Sequence, residues 1–164
     1  MTEAADPIAF AASLSPGQRL LGLDLGTKTI GIAVSDERFL IATPLLTLPR
    51  VKFGKDAAAL IELADKQNAG AYIMGLPINM DGSEGPRAQS TRAFARNLAP
   101  LDRRPIFFWD ERLSTAAVTR TLLEADASRR RRDEVVDKLA ASFILQGFLD
   151  RLHLASRSED LRRL

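Results

Sequence analysis

The chain has 164 residues, 46% hydrophobic and 27% charged, with a formal net charge of only +2. This suits one globular domain able to bury a core, and the charge is too small to announce a polyanion partner by itself. Cysteine is absent and histidine occurs once, at His153. Disulfides and thiolate zinc sites are thereby excluded, and carboxylates must carry any acid–base or metal chemistry.

The opening stretch, MTEAADPIAFAASLSPG, is expected to be a flexible leader over residues 1–17. It is acidic where a secretory signal is basic, and Pro7 and Ser13 interrupt its apolar run. No segment supplies the ~18 consecutive apolar residues needed to span a bilayer, so a cytoplasmic protein without membrane contact is expected.

From Arg19 to Gly26 the sequence RLLGLDLG is almost continuously apolar, as in a strand buried on both faces. A short turn, Thr27-Lys28-Thr29, leads to a second strand over 30–35. A third, over 41–48, contains Pro44 and suits a sheet edge. Three strands joined by short turns read as an antiparallel meander. The period then changes: Ala57, Leu60, Ile61 and Ala64 recur at helical spacing over 54–68, and Gly70 follows as a stop signal. A buried strand over 71–76 ends in a Gly-, Asn-, Asp- and Ser-rich loop, 77–85. Pro86 opens a helix running to Leu98, carrying Arg87, Arg92 and Arg96. A fifth strand covers 105–109, and Ser114 is a candidate cap for a helix over 115–124. An arginine-rich connection, Arg129 to Arg132, precedes a last helix over 133–152 and a polar tail, 153–164. Such an order gives one α/β domain with a mixed five-stranded sheet and helices on its faces.

Three acids stand where apolar or loop residues would cost less. Asp24 lies inside the first strand, where an isolated carboxylate costs several kcal/mol unless a cation, a metal or a proton answers it. Pairing with Lys28 or a hydrogen bond in the Gly26 turn is the bland alternative. Glu111 follows Ile106-Phe107-Phe108-Trp109 at the carboxyl end of a strand, where open α/β sheets bind ligands. Side chains alternate along a strand, so only one of Asp110 and Glu111 can face the same site as Asp24. Pairing of Glu111 with Arg112 is the alternative there. Asp137 shares a helical stripe with Ala140, Ala141, Ile144 and Phe148, which turns it toward the sheet. Compensation of the helix dipole in the first turn is the competing account, and Asp133 is a weaker candidate for the same role. An oxygen-only ligand set of Asp24, Glu111 and Asp137 suits a hard divalent ion, Mg²⁺ or Mn²⁺. Such ions activate water and steady the leaving oxygen of a phosphodiester, with no protein nucleophile needed.

GLDLGTKTIGIAVSD, GLPINMDGSEGPRAQSTRAFA, FFWDERLST and VVDKLAASFILQGFLD together resemble the YqgF family of RuvX-like Holliday-junction resolvases and pre-16S ribosomal RNA nucleases. The resemblance spans residues 19 to 152. It implies a ribonuclease H-like nuclease domain over 18–152, with sheet order 3-2-1-4-5 and strand 2 antiparallel. It also implies that Asp24, Glu111 and Asp137 are the catalytic, metal-binding acids, and it favours Glu111 over Asp110. The implied chemistry is metal-dependent phosphodiester hydrolysis on structured RNA, in processing of the 5′ end of pre-16S rRNA during ribosome biogenesis, or on branched DNA as a junction resolvase. Lys28, Asn79, Ser83, Arg87, Arg131 and Arg132 are the candidate substrate contacts. Lys28 is equally able to neutralise Asp24, and the arginine block equally reads as a solvated loop. No dimer surface is legible, so a monomer or weak homodimer is expected. Two other readings stay open. DLGT followed by IGIAV also resembles the phosphate hairpin of actin-like ATPases and sugar kinases, which need a second domain. The fold also suits a non-catalytic nucleic-acid-binding module.

Overall fold

The computed structural model describes residues 6–113 and 129–164, with side chains described from Asp137 onward in the second stretch. Its order is α1 (Pro7–Ala12), β1 (Arg19–Leu25), β2 (Thr29–Ser35), β3 (Ala42–Pro49), α2 (Phe53–Lys66), β4 (Ala69–Leu76), α3 (Pro86–Leu98), β5 (Ile106–Asp110), a 3-10 turn (Glu111–Leu113) and α4 (Arg129–Arg162). The five strands form one sheet in the order β3-β2-β1-β4-β5. β2 runs antiparallel to β1 and β3, while β4 is parallel to β1 and β5. The expected meander and sheet order are both present. Pro44 sits in the edge strand β3, beside an irregularity in the β2 register at Ile32/Ala33, where a missing N–H is cheapest.

Strand alternation divides the core in two. Leu21, Leu23 and Leu25 face α2 and α3, where they join Leu60, Phe94, Leu98, Ile106 and Met74. Leu20, Ala33, Ile73, Phe107 and Trp109 face α4, where they meet Ala141, Ile144, Leu145 and Phe148. β1 and β4 are therefore apolar on both faces, which explains their unbroken hydrophobic runs.

Three expectations change. Residues from Pro7 are not a loose leader: Asp6 caps α1 by accepting from the Ile8 amide at 3.0 Å, and Pro7 occupies its first turn. Phe10 is buried edge-on against Phe107 and Phe148, with ring centroids 5.2 and 6.1 Å away. The last helix begins at Arg129, so the arginine block forms helix backbone and is no connecting loop. It also continues through most of the supposed tail, since no Gly or Pro between Leu149 and Arg162 stops it. The His153 ring nitrogen bonds the Phe39 carbonyl at 2.9 Å. The expected helix over 115–124 and its Ser114 cap lie outside the described residues.

Candidate active site

The site is built where β1, β4 and β5 end, on the face of the sheet covered by α4. Leu20 belongs to that face and Leu21, Leu23 and Leu25 to the other, so alternation turns Asp24 toward α4. The same count works on β5. Phe107 and Trp109 face α4, whereas Phe108 lies under the Arg92 guanidinium on the α3 side. Glu111, next in parity, joins the Asp24 face and is buried at 6% exposure.

Asp110 goes the other way and is held by Arg112 through three contacts of 2.7–3.1 Å. Bonding to the Arg112 guanidinium is the main reason the Asp110 carboxyl lies below its usual pKa; burial opposes the shift, and the Arg112 amide assists it. The arginine expected as the alternative partner of Glu111 thus binds its neighbour. Arg112 also donates to the Asn79 carbonyl at 3.4 Å, tying the 3-10 turn to the loop after β4.

Two glycines bring the other acids beside Asp24. Gly31 is its direct cross-strand partner on β2. A Cβ there would strike the Asp137 carbonyl group and stand 2.8 Å from the Lys138 nitrogen. Only a residue without a side chain lets the α4 backbone lie so close, and this sets Asp137 above the Asp24 position. On the opposite flank, Gly75 follows Met74, which pairs with Leu23. A Cβ on Gly75 would stand 3.1 Å from Glu111 Oε1. The Asp137 side chain turns toward the β1–β2 hairpin: the Thr29 hydroxyl donates to its Oδ2. That oxygen would stand 3.2 Å from a Cβ on Gly26. The apolar remainder of its stripe is buried as expected, with Ala141, Ile144 and Phe148 at 0% exposure. Because α4 starts at Arg129, Asp137 lies more than two turns inside it, and compensation of the helix dipole does not account for its position.

Asp24 is 2% exposed, and Arg87 answers it, Nη2 to Oδ1 at 3.1 Å. Arg87 reaches it from the first turn of α3, whose N-cap, Gly85, supplies no side-chain cap. Lys28 is exposed on the hairpin turn. That turn is itself pinned: the Arg50 amide bonds the Lys28 carbonyl at 2.8 Å, and its guanidinium bonds the Gly26 carbonyl at 2.8 Å. Asn79 and Ser83 are exposed and bonded to each other, amide to carbonyl at 2.9 Å and Nδ2 to Oγ at 3.0 Å. Gly82 between them adopts φ +88° in open space. Its glycine is required by that left-handed conformation. The side chains of Arg131, Arg132 and Asp133 lie outside the described residues.

The donor set can be tested against a divalent cation. Three carboxylates are hard oxygen donors, and glycines leave room for two of them to lean on the backbone beside the third. Among the described residues, no three such side chains already stand at ion-ligating spacing. The contact made by Arg87 with Asp24 would have to yield for the set to close, whereas the Thr29 hydroxyl engages only one oxygen of Asp137. Thr29 was not singled out by the sequence, nor was the pairing of Arg87 with Asp24. Gly31 and Gly75 were legible only as strand-interior glycines, the usual mark of close approach.

The family model described as RuvX, Holliday junction resolvase, matches residues 18–151. A relative from Methylocella silvestris named "Putative pre-16S rRNA nuclease" is 64% identical over 86% of this chain and 88% of its own length. One of the same name from Paramagnetospirillum magneticum is 63% identical over 88% of this chain and 93% of its own length. Among solved structures, Thermus thermophilus RuvC in complex with Holliday junction substrate superposes with TM-score 0.52 at 14% identity, covering 83% of this chain and 96% of that one. The yeast mitochondrial Holliday junction resolvase Ydc2 gives TM-score 0.53 at 12% identity, covering 94% and 88%. At such identities the likeness shows the shared ribonuclease H-like fold alone. With the model matched over residues 18–151 and relatives above 60% identity, this chain belongs to the RuvX family.

Proposed function

We propose that this protein is a metal-dependent nuclease that hydrolyses phosphodiester bonds in the cytoplasm and processes the 5′ end of pre-16S rRNA. The observation that carries the reading is the pair of glycines flanking Asp24. Gly31 admits Asp137 and Gly75 admits Glu111 to the level of one buried carboxylate. The names of relatives above 60% identity favour ribosomal precursor RNA as the substrate.

Asp24, Glu111 and Asp137 would hold Mg²⁺ or Mn²⁺, and the bound ion would supply an activated water and charge stabilisation at the leaving oxygen. The chain's own residues do the rest. Burial of Asp24 and Glu111 keeps bulk water from competing for their oxygens. The Thr29 hydroxyl holds one oxygen of Asp137 and so sets the orientation of that carboxylate. The substrate backbone would lie along the N-terminal end of α3. There Arg87 contributes a planar donor fork, and the N-terminus of α3, which has no side-chain cap, favours an anion. Asn79 and Ser83 would contact it from a loop braced by Arg112, Lys28 from the hairpin turn, and Arg131 and Arg132 from the start of α4.

The family description favours a second substrate, a four-way DNA junction. The purified protein is to be offered precursor small-subunit RNA and such a junction side by side, with Mg²⁺ or Mn²⁺, against Asp24→Asn. Ion-dependent cleavage of the RNA, lost in the variant by at least ~100-fold, is the expected result. Cleavage of the junction alone would assign DNA. Binding without cleavage under either ion would make the chain a non-catalytic module.

A further inference from the structure

We infer that Arg87 is a resident counter-cation of Asp24 that a divalent ion displaces, so that loading of the site and release of the guanidinium toward substrate phosphate are one coupled event. The inference rests on the metal-centre reading above and adds a role for Arg87 before the ion arrives.

The asymmetry of the pair is the first observation. The Asp24 side chain is 3% exposed, whereas that of Arg87 is 37% exposed. The carboxylate is committed to the site, and the guanidinium stands at its mouth. Backbone movement is not available to Arg87, because Ala88 and Thr91 on the same helix are buried at 0% and 1% exposure. Its flexible stem is free to swing.

Comparison with the neighbouring arginines is the second. Arg112 grips Asp110 with two nitrogens. Arg92 holds Glu84 with contacts of 2.5 and 3.2 Å and lies over Phe108. Arg50 bonds the Gly26 carbonyl and lies over Phe94. Each is doubly anchored to groups outside the acid set. Arg87 touches Asp24 through one nitrogen and one oxygen, and its partner is a candidate ion ligand.

A doubly charged ion shared by three carboxylates outcompetes a singly charged group held by one contact. The freed guanidinium stays within its stem's reach and presents the fork geometry that matches a phosphate. By linkage, whatever draws Arg87 off Asp24 favours ion binding, and the ion favours an Arg87 available to phosphate.

The test is titration calorimetry of the full chain with Mn²⁺ alone, without nucleic acid, at low ionic strength. Wild type is compared with Arg87→Gln, Arg87→Lys, Asp24→Asn and the Arg87→Gln/Asp24→Asn double variant, each checked by thermal melting. Arg87→Gln is expected to bind Mn²⁺ about tenfold tighter than wild type, at the low end of typical coupling because the arginine is part-exposed. Arg87→Lys, which keeps the charge, should stay near wild type. The gain should vanish in the Asp24→Asn background, since the interaction that opposes the ion is then already gone. Unchanged or weaker binding by Arg87→Gln overturns the inference while leaving the metal centre standing. A gain that persists without the Asp24 carboxylate overturns it too, since Arg87 would then act only through the general field. Absence of Mn²⁺ binding by wild type and every variant overturns the metal-centre reading itself.

Discussion

Placing a methyl group on Gly31 tests the central geometric claim. In the folded chain the Gly31 Cα lies against the Asp137 peptide group, and a Cβ would overlap its carbonyl and come within 2.8 Å of the Lys138 nitrogen. Those are backbone atoms of a helix packed along the sheet, with Ala141 and Ile144 fully buried just beyond. No side-chain rotamer relieves the overlap. Overpacking of a core costs ~1–3 kcal/mol, and a clash with helix backbone belongs at the upper end, ~3 kcal/mol. For a chain of this size that lowers the melting temperature by about 6–12 °C. Activity should fall further than stability, because Asp137 is pushed off its level and a misplacement of ~1 Å can cost about 100-fold. The assay is thermal melting of Gly31→Ala together with cleavage at a temperature where the variant is folded. Gly54→Ala is the control: it lies in α2 with nothing near its Cβ position, and alanine there should stabilise by about 0.5 kcal/mol. A Gly31→Ala protein melting with wild type would refute the placement of α4 over Gly31, and with it the approach of Asp137 to Asp24.

Four further outcomes are expected. Phe10→Ala should cost about 3–4 kcal/mol in chemical denaturation, as for a buried aromatic, because its ring fills space between Phe107 and Phe148; a change below ~1 kcal/mol would restore the picture of a loose leader. Thr29→Val removes the donor to Asp137 while keeping shape; cleavage should fall roughly tenfold as the carboxylate loses its orientation, and melting should drop by a few degrees, as for loss of one hydrogen bond to a charged group. Acid sensitivity should be traceable to Asp102. Burial acts to raise its pKa, but bonds from the Tyr72 hydroxyl at 2.6 Å and from Arg104 outweigh it and hold the carboxyl below its ordinary value. Its contribution to stability is therefore present above the unfolded value near ~3.9 and lost as pH falls through the lower folded value. Asp102→Asn should lower stability at neutral pH and flatten the acid limb, as read by denaturation at a series of pH values. Glu111→Gln should abolish cleavage, whereas Asp110→Asn should mainly loosen the Arg112 clamp; equal losses from both would contradict the parity assignment.

Burial and periodicity made much of the fold legible. The apolar runs of β1 and β4, Pro44 at the edge and Pro86 at a helix start are local signals that need no knowledge of neighbours. Asp137 was legible for the same reason: a 3.6-residue stripe fixes which side of a helix faces the sheet. Misreadings came where a boundary depends on packing. Phe10 looks like part of a loose leader until Phe107 and Phe148, 97 and 138 residues further along the chain, are in place. Helix α4 outran its expected limits because no helix breaker comes after Gly147 and no turn signal separates the arginine block from Asp133 and Glu134.

The candidate site divides in the same way. The sequence alone bounded the kind of chemistry available, since in a chain without cysteine and with one histidine any acid–base or metal chemistry falls to carboxylates. It also singled out Asp24 as an acid in a buried strand. Tertiary structure decided the rest: Glu111 over Asp110, by continuing the alternation of β5 into the turn, and the approach of Asp137 and Glu111 to Asp24, by leaving Gly31 and Gly75 without side chains. It also made Arg87 the cation beside Asp24. Which charges meet depends on the distances that three strands and two helices create at one end of the sheet, and no local pattern encodes such a distance.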